Sequence, residues 1–514
     1  MTSAVAGQLQ CDVLIAGGGI NGVAIARDAA GRGLSTVLCE QADLASYTSS
    51  ASTKLIHGGL RYLEHGEIGL VHKALQERAI LLRAAPHLVR PLRLLLIHDE
   101  SMRPAWVLRC GLWLYDHLAQ RSGLPASRRV ALASHPAGRE LAPGFRTGFE
   151  FSDAWTDDAR LVVTVAIDAA EKGARIFTRS RLVQARRDGP MWVAEAERAH
   201  GGPLRIRARA LVNATGPWAA RFLQQECASG SQRRLRLVKG SHLVVRRRFG
   251  HSFAYVLQSA DRRVAFAIPF EDDFTLIGTT DVEFREDAHT AHIDAGEIDY
   301  LCDLVNRYLK QPIGRTDIAW TFSGVRPLLD DGADPSAVTR DFALELDQEG
   351  APLLTVWGGK VTTFRTLAQQ AVDRLAPALG CTRQGWTREA VLPGGDLPAT
   401  PGDAQSALAA FVAGLTEQFG WMPAHTLRRM AMAYGSRVRA VLGTARRAQD
   451  LGEPIADGLY EAELEYLVAR EWAVSADDVL WRRSKLGLHL SMPERQRVAD
   501  WFERRPGQHA PQAR

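Results

Sequence analysis

CDVLIAGGGINGVAIARDAAGRGLSTVLCE, residues 11–40, is the stretch from which the fold is read. A short apolar run, CDVLIA (11–16), stops at Gly17-Gly18-Gly19. Apolar positions then recur at helical spacing through Ile20, Val23, Ala24, Ile25 and Ala29, until Gly31 and Gly33 break the pattern. LSTVLC (34–39) reads as a second strand and ends in Glu40. The spacing predicts a complete βαβ unit at the start of the chain. Within it, Gly17-x-Gly19-x-x-Gly22 sits between strand and helix. The first glycine permits the tight turn, the second lets backbone approach a pyrophosphate, and the third lets the helix pack close to the strand. The helix start at Ile20 and Asn21 offers free N–H groups to phosphate oxygens. Glu40 stands about 20 residues past the turn, where a carboxylate meets ribose hydroxyls. It would repel the 2′-phosphate of NADP, so NAD and FAD remain, with a ligand-free βαβ turn as the plain alternative.

Two distant segments favour a flavin. LVNATG (211–216) reads as a strand ending in a small-residue turn, with Ala214 and Gly216 where the chain again passes a dinucleotide. VWGGKVTTFRT (356–366) places a Gly-Gly turn before a helix starting near Thr362. The positive end of such a helix would face the flavin N1/C2=O edge, where reduction leaves negative charge. NAD has no such requirement.

Outward from these motifs, 46% hydrophobic and 24% charged residues in 514 describe an ordinary globular protein with room for a deep cleft. A net charge of +5 suits an anionic substrate or membrane surface and is too weak to imply nucleic acid. Six scattered cysteines show no metal-ligand spacing, and point to a reducing, cytoplasmic compartment with no metal. The first residues lack the basic and apolar regions of a signal peptide, and no run approaches transmembrane length, so any membrane contact is expected to be peripheral. Helices are expected at 67–85, 103–120 and 157–172, and strands at 174–178, 191–197, 204–213 and within 235–280. PGGDLPATP (393–401) reads as a linker, followed by helices at 403–418, 424–442, 461–472 and 477–487. Ser475 and Asp478 mark a helix start.

TSSASTKLIHGGLRYLE (48–64), KGSH (239–242), IGTTD (277–281), SGVRPL (323–328) and WGGKVTT (357–363) together resemble the aerobic, FAD-dependent glycerol-3-phosphate dehydrogenase family. The resemblance continues into EAELEYLV (461–468) and DDVLWRRSKLG (477–487). It implies an α/β fold: a glutathione-reductase-like FAD-binding Rossmann domain, an antiparallel-sheet substrate domain and an all-α C-terminal cap. The expected divisions are an oxidoreductase region, 8–392, and a helical domain, 396–514. Within the first, FAD-binding segments are expected at 8–65, 155–235 and 320–392, and substrate segments at 66–154 and 236–319.

The resemblance also implies oxidation of sn-glycerol 3-phosphate to dihydroxyacetone phosphate, with hydride passing from C2 to flavin N5 and electrons to a membrane quinone. Location at the inner face of the cytoplasmic membrane follows, and a homodimer is admitted. It places Arg61, Tyr62, Arg326, Lys360 and Arg340 at the substrate, and Ser49, Ser50, Ser52, Lys54, Lys360 and Thr362 along the cofactor. Arginine suits a phosphate because its planar fork meets two oxygens at once. His57 is the first choice for general base, since its ordinary pKa lies near working pH. It stands beside the alternative of a histidine packed on the flavin, while Arg326 would stabilise developing alkoxide charge. His242 is a weaker candidate base. Residues 103–120 combine Arg103, Trp106, Arg109, Trp113 and Tyr115, a set that suits a bilayer interface or a core helix with charged ends. Two other functions share parts of this pattern: an oxidase that passes electrons to O2, and a flavin-bound scaffold without turnover.

Overall fold

The computed structural model describes residues 8–99, 102–118, 123–199, 201–259, 263–330, 341–398 and 404–505. Two large sheets share the work. Gln8–Ala16 is central in the first, flanked in parallel by Leu204–Asn213 and Thr36–Cys39, with Leu353–Trp357 and Arg175–Phe177 beyond them. Ala343–Asp347 adds an antiparallel edge, and the hairpin of Ser180–Asp188 and Met191–Arg198 attaches to Leu204–Asn213.

The unbroken apolar run of the first strand has its reason here, since a parallel sheet is covered on both faces. Val13 and Ile15 pack among the helices Ile20–Gly31, Asp158–Glu171 and Phe364–Leu379. Leu14 and Ala16 point the other way, toward the hairpin and the short helix Ala219–Gln225. Asp157 caps the helix it precedes, its carboxylate accepting from the Arg160 N–H at 3.1 Å.

The second sheet has ten strands, including Val89–His98, Thr147–Thr156, Leu235–Arg246, Ala254–Gln258, Val264–Phe270, Phe274–Gly278 and Ile318–Leu329. It is antiparallel except where Ala254–Gln258 runs parallel to Val89–His98. Helix Ala295–Asn306 covers one face, and helices Ile68–Ala84 and Ala105–Leu118 the other. Leu55–Ile56 and Ile318–Leu329, which fall within the expected FAD-binding segments, are strands of this second sheet. SGVRPL pairs there with the strand carrying KGSH.

The C-terminal region is helical around its own apolar core, with a two-stranded hairpin, Pro454–Ala456 and Leu459–Tyr460, set among the helices. The single helix expected at 477–487 is a π-wound turn, Asp478–Arg483, followed by a short 3-10 turn, Leu486–Leu488. Its start is as expected: the Ser475 N–H donates to Asp478 at 3.2 Å and the Asp478 N–H to Ser475 Oγ at 3.3 Å. No helix among the described residues is long and apolar enough to cross a membrane.

Candidate cofactor and substrate site

Between the two sheets lies a cleft of about 1920 Å³, large enough for a dinucleotide and a small substrate together. At one end stands the glycine turn. Gly17 has φ +108°, and a Cβ there would lie 2.6 Å from the Ala214 carbonyl oxygen. A Cβ on Gly19 would meet Ser49 Oγ at 3.0 Å, and one on Gly22 would strike the Gly17 carbonyl. Each glycine thus has the separate steric reason that a pyrophosphate turn demands, which is the fit expected of FAD. Ser49 Oγ accepts from the Ile20 N–H at 3.0 Å, at the helix start. Asn21 Nδ2 donates to the Gly358 carbonyl at 3.2 Å, which ties this end to the WGGK turn. Gly358 and Gly359 have φ +74° and +112°, and a Cβ on Gly359 would lie 2.7 Å from Asn21 Nδ2.

Glu40 lines the cleft and is buried. Its carboxylate accepts from the Gly18 N–H at 2.6 Å and the Ala42 N–H at 2.8 Å. Burial pushes its pKa up, against the pull of those amides. Ala214 and Gly216 line the same wall, Gly216 with φ +61°. Asn213 shapes that turn, donating to the Ala219 carbonyl at 2.9 Å and accepting from Thr215 Oγ1 at 2.7 Å. Sequence reading passed over Asn213, although it stands inside LVNATG.

His57, Arg61, Tyr62, Arg326, Lys360 and Thr362 all face the same cleft. They come from three segments and two sheets. Lys360 Nζ sits 4.1 Å from the centre of the Tyr62 ring. Arg326 is paired with Asp281 and donates to Thr279 Oγ1 at 2.8 Å. Gly240 has no side chain because a Cβ would collide with the Arg326 guanidinium. Asp281 was missed from sequence, because nothing in IGTTD says which cation it will face.

The backbone beside His57 is held by a buried chain. Tyr115 Oη accepts from the Gly58 N–H at 2.8 Å and donates to Asp153 at 2.8 Å, and Arg78 completes the chain at 2.6 Å from Asp153. Burial and the Asp153 carboxylate push the Tyr115 hydroxyl far above its ordinary pKa, so it remains a donor. Tyr115 is therefore core, not bilayer interface. Trp106 and Trp113, on the same helix, are 69% and 60% exposed, and Arg103 and Arg109 are exposed with them.

Other expected positions fall elsewhere. Ser52 lines the cleft, but its hydroxyl donates to Asp158 at 2.7 Å. Ser50 and Lys54 do not line it; Lys54 is buried with Nζ 2.6 Å from Asp158. His242 is buried behind the wall, its Nε2 3.0 Å from Thr53 Oγ1 and its ring stacked on Phe322. Burial, with Arg326 and Lys54 nearby, drives its pKa far down, which leaves it neutral and out of contact with the cleft. Arg340 lies outside the described residues.

Residues 12–365 match the family described as FAD dependent oxidoreductase, and residues 386–504 match the C-terminal domain of alpha-glycerophosphate oxidase. The chain is 48% identical to glycerol-3-phosphate dehydrogenase of Pseudomonas aeruginosa, over 97% of each chain. It is 47% identical to D-erythritol 1-phosphate dehydrogenase of Brucella abortus, over 96% of this chain and 98% of that one. The X-ray structure of glycerol-3-phosphate dehydrogenase from Bacillus halodurans, complexed with FAD, superposes with TM-score 0.75 at 26% identity, over 96% of this chain and 94% of that one.

Proposed function

The chain belongs to the family of FAD-dependent glycerol-3-phosphate dehydrogenases, and from that premise we propose that it oxidises sn-glycerol 3-phosphate to dihydroxyacetone phosphate and passes the electrons to a membrane quinone. The observation that carries this reading is one cleft lined both by a glycine turn of pyrophosphate-binding shape and by Arg61, Arg326, Lys360 and His57. When bound, FAD supplies the hydride acceptor, its N5, for the hydrogen on substrate C2.

The chain's own groups do the rest. Arg61 and Lys360 bind the phosphate, with Tyr62 directing the Lys360 ammonium across the pocket. Arg326, oriented by Asp281 and Thr279, stabilises charge developing on the C2 oxygen. His57, on backbone fixed by Tyr115, takes the hydroxyl proton. Ser49 and Asn21 hold the cofactor turn in shape. The exposed face of helix Ala105–Leu118, with Trp106, Trp113 and Arg109, supports peripheral contact with the inner face of the cytoplasmic membrane. Its opposite face, at Val107, Leu108 and Leu114, lines the cleft, so an apolar acceptor in the bilayer would lie close to it.

Anaerobic addition of glycerol 3-phosphate tests the reaction by bleaching the bound flavin. An unbleached flavin would overturn it. D-erythritol 1-phosphate is the second arm, because a relative at 47% identity carries that activity in its name. Faster bleaching by the four-carbon phosphate would reassign the substrate. Rapid peroxide formation in air without quinone would replace dehydrogenase by oxidase.

A further inference from the structure

The loop from Gln41 to Lys54 supplies much of the cofactor wall, including Tyr47, Thr48, Ser49 and Thr53, yet it has little structure of its own. One 3-10 turn, Thr48–Ser50, is its regular element. Ala45 and Lys54 adopt left-handed backbone angles, φ +59° at each, which side-chain-bearing residues rarely take. Such a loop keeps its shape only if its surroundings hold it.

Buried charge holds both ends. At the far end Lys54 reaches Asp158 at 2.6 Å, and the Ser52 N–H and hydroxyl donate to the same carboxylate at 3.0 and 2.7 Å. At the near end Asp43 is buried and accepts from Arg482 Nε at 2.6 Å and from Arg483 at 2.5 and 2.8 Å. Asp43 and Arg483 stand 440 residues apart in the chain. Asp478 pairs with Arg482 at 2.5 Å and with Arg179 at 2.7 Å, and the Arg179 backbone N–H donates to the Ala42 carbonyl at 2.8 Å. Lys485 Nζ lies 3.2 Å from Asp157, next to the Asp158 that anchors the far end. Asp478, Arg482, Arg483 and Lys485 belong to one short stretch, the π-wound turn and its exit. A π-turn is a rare departure from α-helix that is frequent at functional sites. Here it lets two consecutive arginines reach one carboxylate.

We propose that residues 478–485 of the C-terminal helical region form a clamp that positions the FAD-binding loop. A buried ion pair contributes little net stability, but its loss leaves a charge in a place that water does not reach. The loop is thereby confined to one arrangement before FAD binds, which lowers the ordering cost of binding. Arg482, Arg483 and Lys485 are positioning residues, acting on the cofactor through Asp43 and the Asp157–Asp158 pair. The inference rests on the FAD site alone and is independent of which polyol phosphate is oxidised.

The test measures FAD release from diluted holoenzyme, by recovery of flavin fluorescence, alongside the melting temperature of the flavin-free protein. Arg482→Ala is expected to release FAD about 10-fold faster or more, with Arg482→Lys recovering part of the loss. Asp43→Asn keeps the side-chain shape, removes the charge and is expected to match it. Combining Asp43→Asn with Arg482→Ala is expected to fall short of the sum of the two effects, because both break the Asp43–Arg482 pair, while each also removes one further contact, Arg483 with Asp43 or Arg482 with Asp478. Glu463→Gln is the control: it cuts the Arg429–Glu463 pair, 2.7 Å apart within the C-terminal core. It is expected to lower the melting temperature while FAD leaves at the parental rate. Parental release from both Arg482→Ala and Asp43→Asn would overturn the proposal. So would Glu463→Gln releasing FAD as fast as they do, since the effect would then be general loosening.

Discussion

Two parts of the cleft wall are built in opposite ways. At the glycine turn the wall is backbone: Gly17, Gly19 and Gly22 leave space, and the helix start offers its N–H groups. The proposed substrate part is made of long side chains from distant segments, each held by a partner: Arg326 by Asp281, Lys360 by Tyr62, and the His57 backbone by Tyr115. A site made of space is broken by adding atoms. A site made of side chains is broken by removing them.

Gly19→Val puts the largest expected effect on that contrast. Its side chain meets Ser49 and fills the pyrophosphate approach, so the purified protein is expected to lack the visible absorbance of flavin. A yellow Gly19→Val protein would show that the turn does not hold the cofactor. Arg61→Ala and Arg326→Ala change the side-chain part and are expected to keep FAD. Their flavin-bleaching rate constants at subsaturating substrate should fall on the order of 100-fold. Loss of FAD in either variant would erase the distinction between the two parts.

Tyr115→Phe sharpens the comparison more gently. It removes the acceptor of the Gly58 N–H and the donor to Asp153, which costs about 1–3 kcal/mol of stability in a denaturant titration. Turnover should fall by less than in either arginine variant, with FAD retained.

The smallest effect concerns acid. Burial raises the Glu150 pKa, but hydrogen bonds from Arg128, Arg93 and His135 outweigh it and hold the value down to about 2. A depressed carboxylate stabilises the fold above its unfolded pKa of about 4.3 and loses that contribution as pH falls through its folded value. Glu150→Gln should therefore flatten the stability profile between pH about 4 and about 2, with no change near neutrality. An unchanged acid limb would mean that these arginines do not act on Glu150 in solution.

The same contrast explains what was legible. The βαβ unit, the helix at 157–172 and the strand at 204–213 follow from local periodicity and glycine placement, and the structure has them nearly as expected. Val89–His98 and Thr147–Thr156 escaped notice because Arg90, Pro91 and Arg93 interrupt one and Glu150, Ser152 and Asp153 the other. Glu150, Ser152 and Asp153 are buried and Arg90 and Arg93 partly so, and Arg93 donates to Glu150 and Ser152 across the pair at 2.6 Å. A strand that hides ion pairs has no alternating pattern to read. Helix 103–120 was ambiguous for a related reason: Tyr115 belongs to the core and Trp106 to the surface, and composition does not say which residue faces where.

By itself the sequence determined a βαβ unit whose turn has the shape of a dinucleotide site, since glycine spacing and the strand-end Glu40 are local properties of the backbone. Motif order brought FAD and a phosphorylated polyol into view. Only the tertiary structure decided that Arg326 faces Asp281, that Lys54 and His242 stand behind the wall, and that DDVLWRRSKLG reaches back to Asp43. The reason is physical: a turn's geometry is written in neighbouring residues, whereas an ion pair depends on where two distant segments meet. Charge tells which residues seek a partner, and packing chooses the partner.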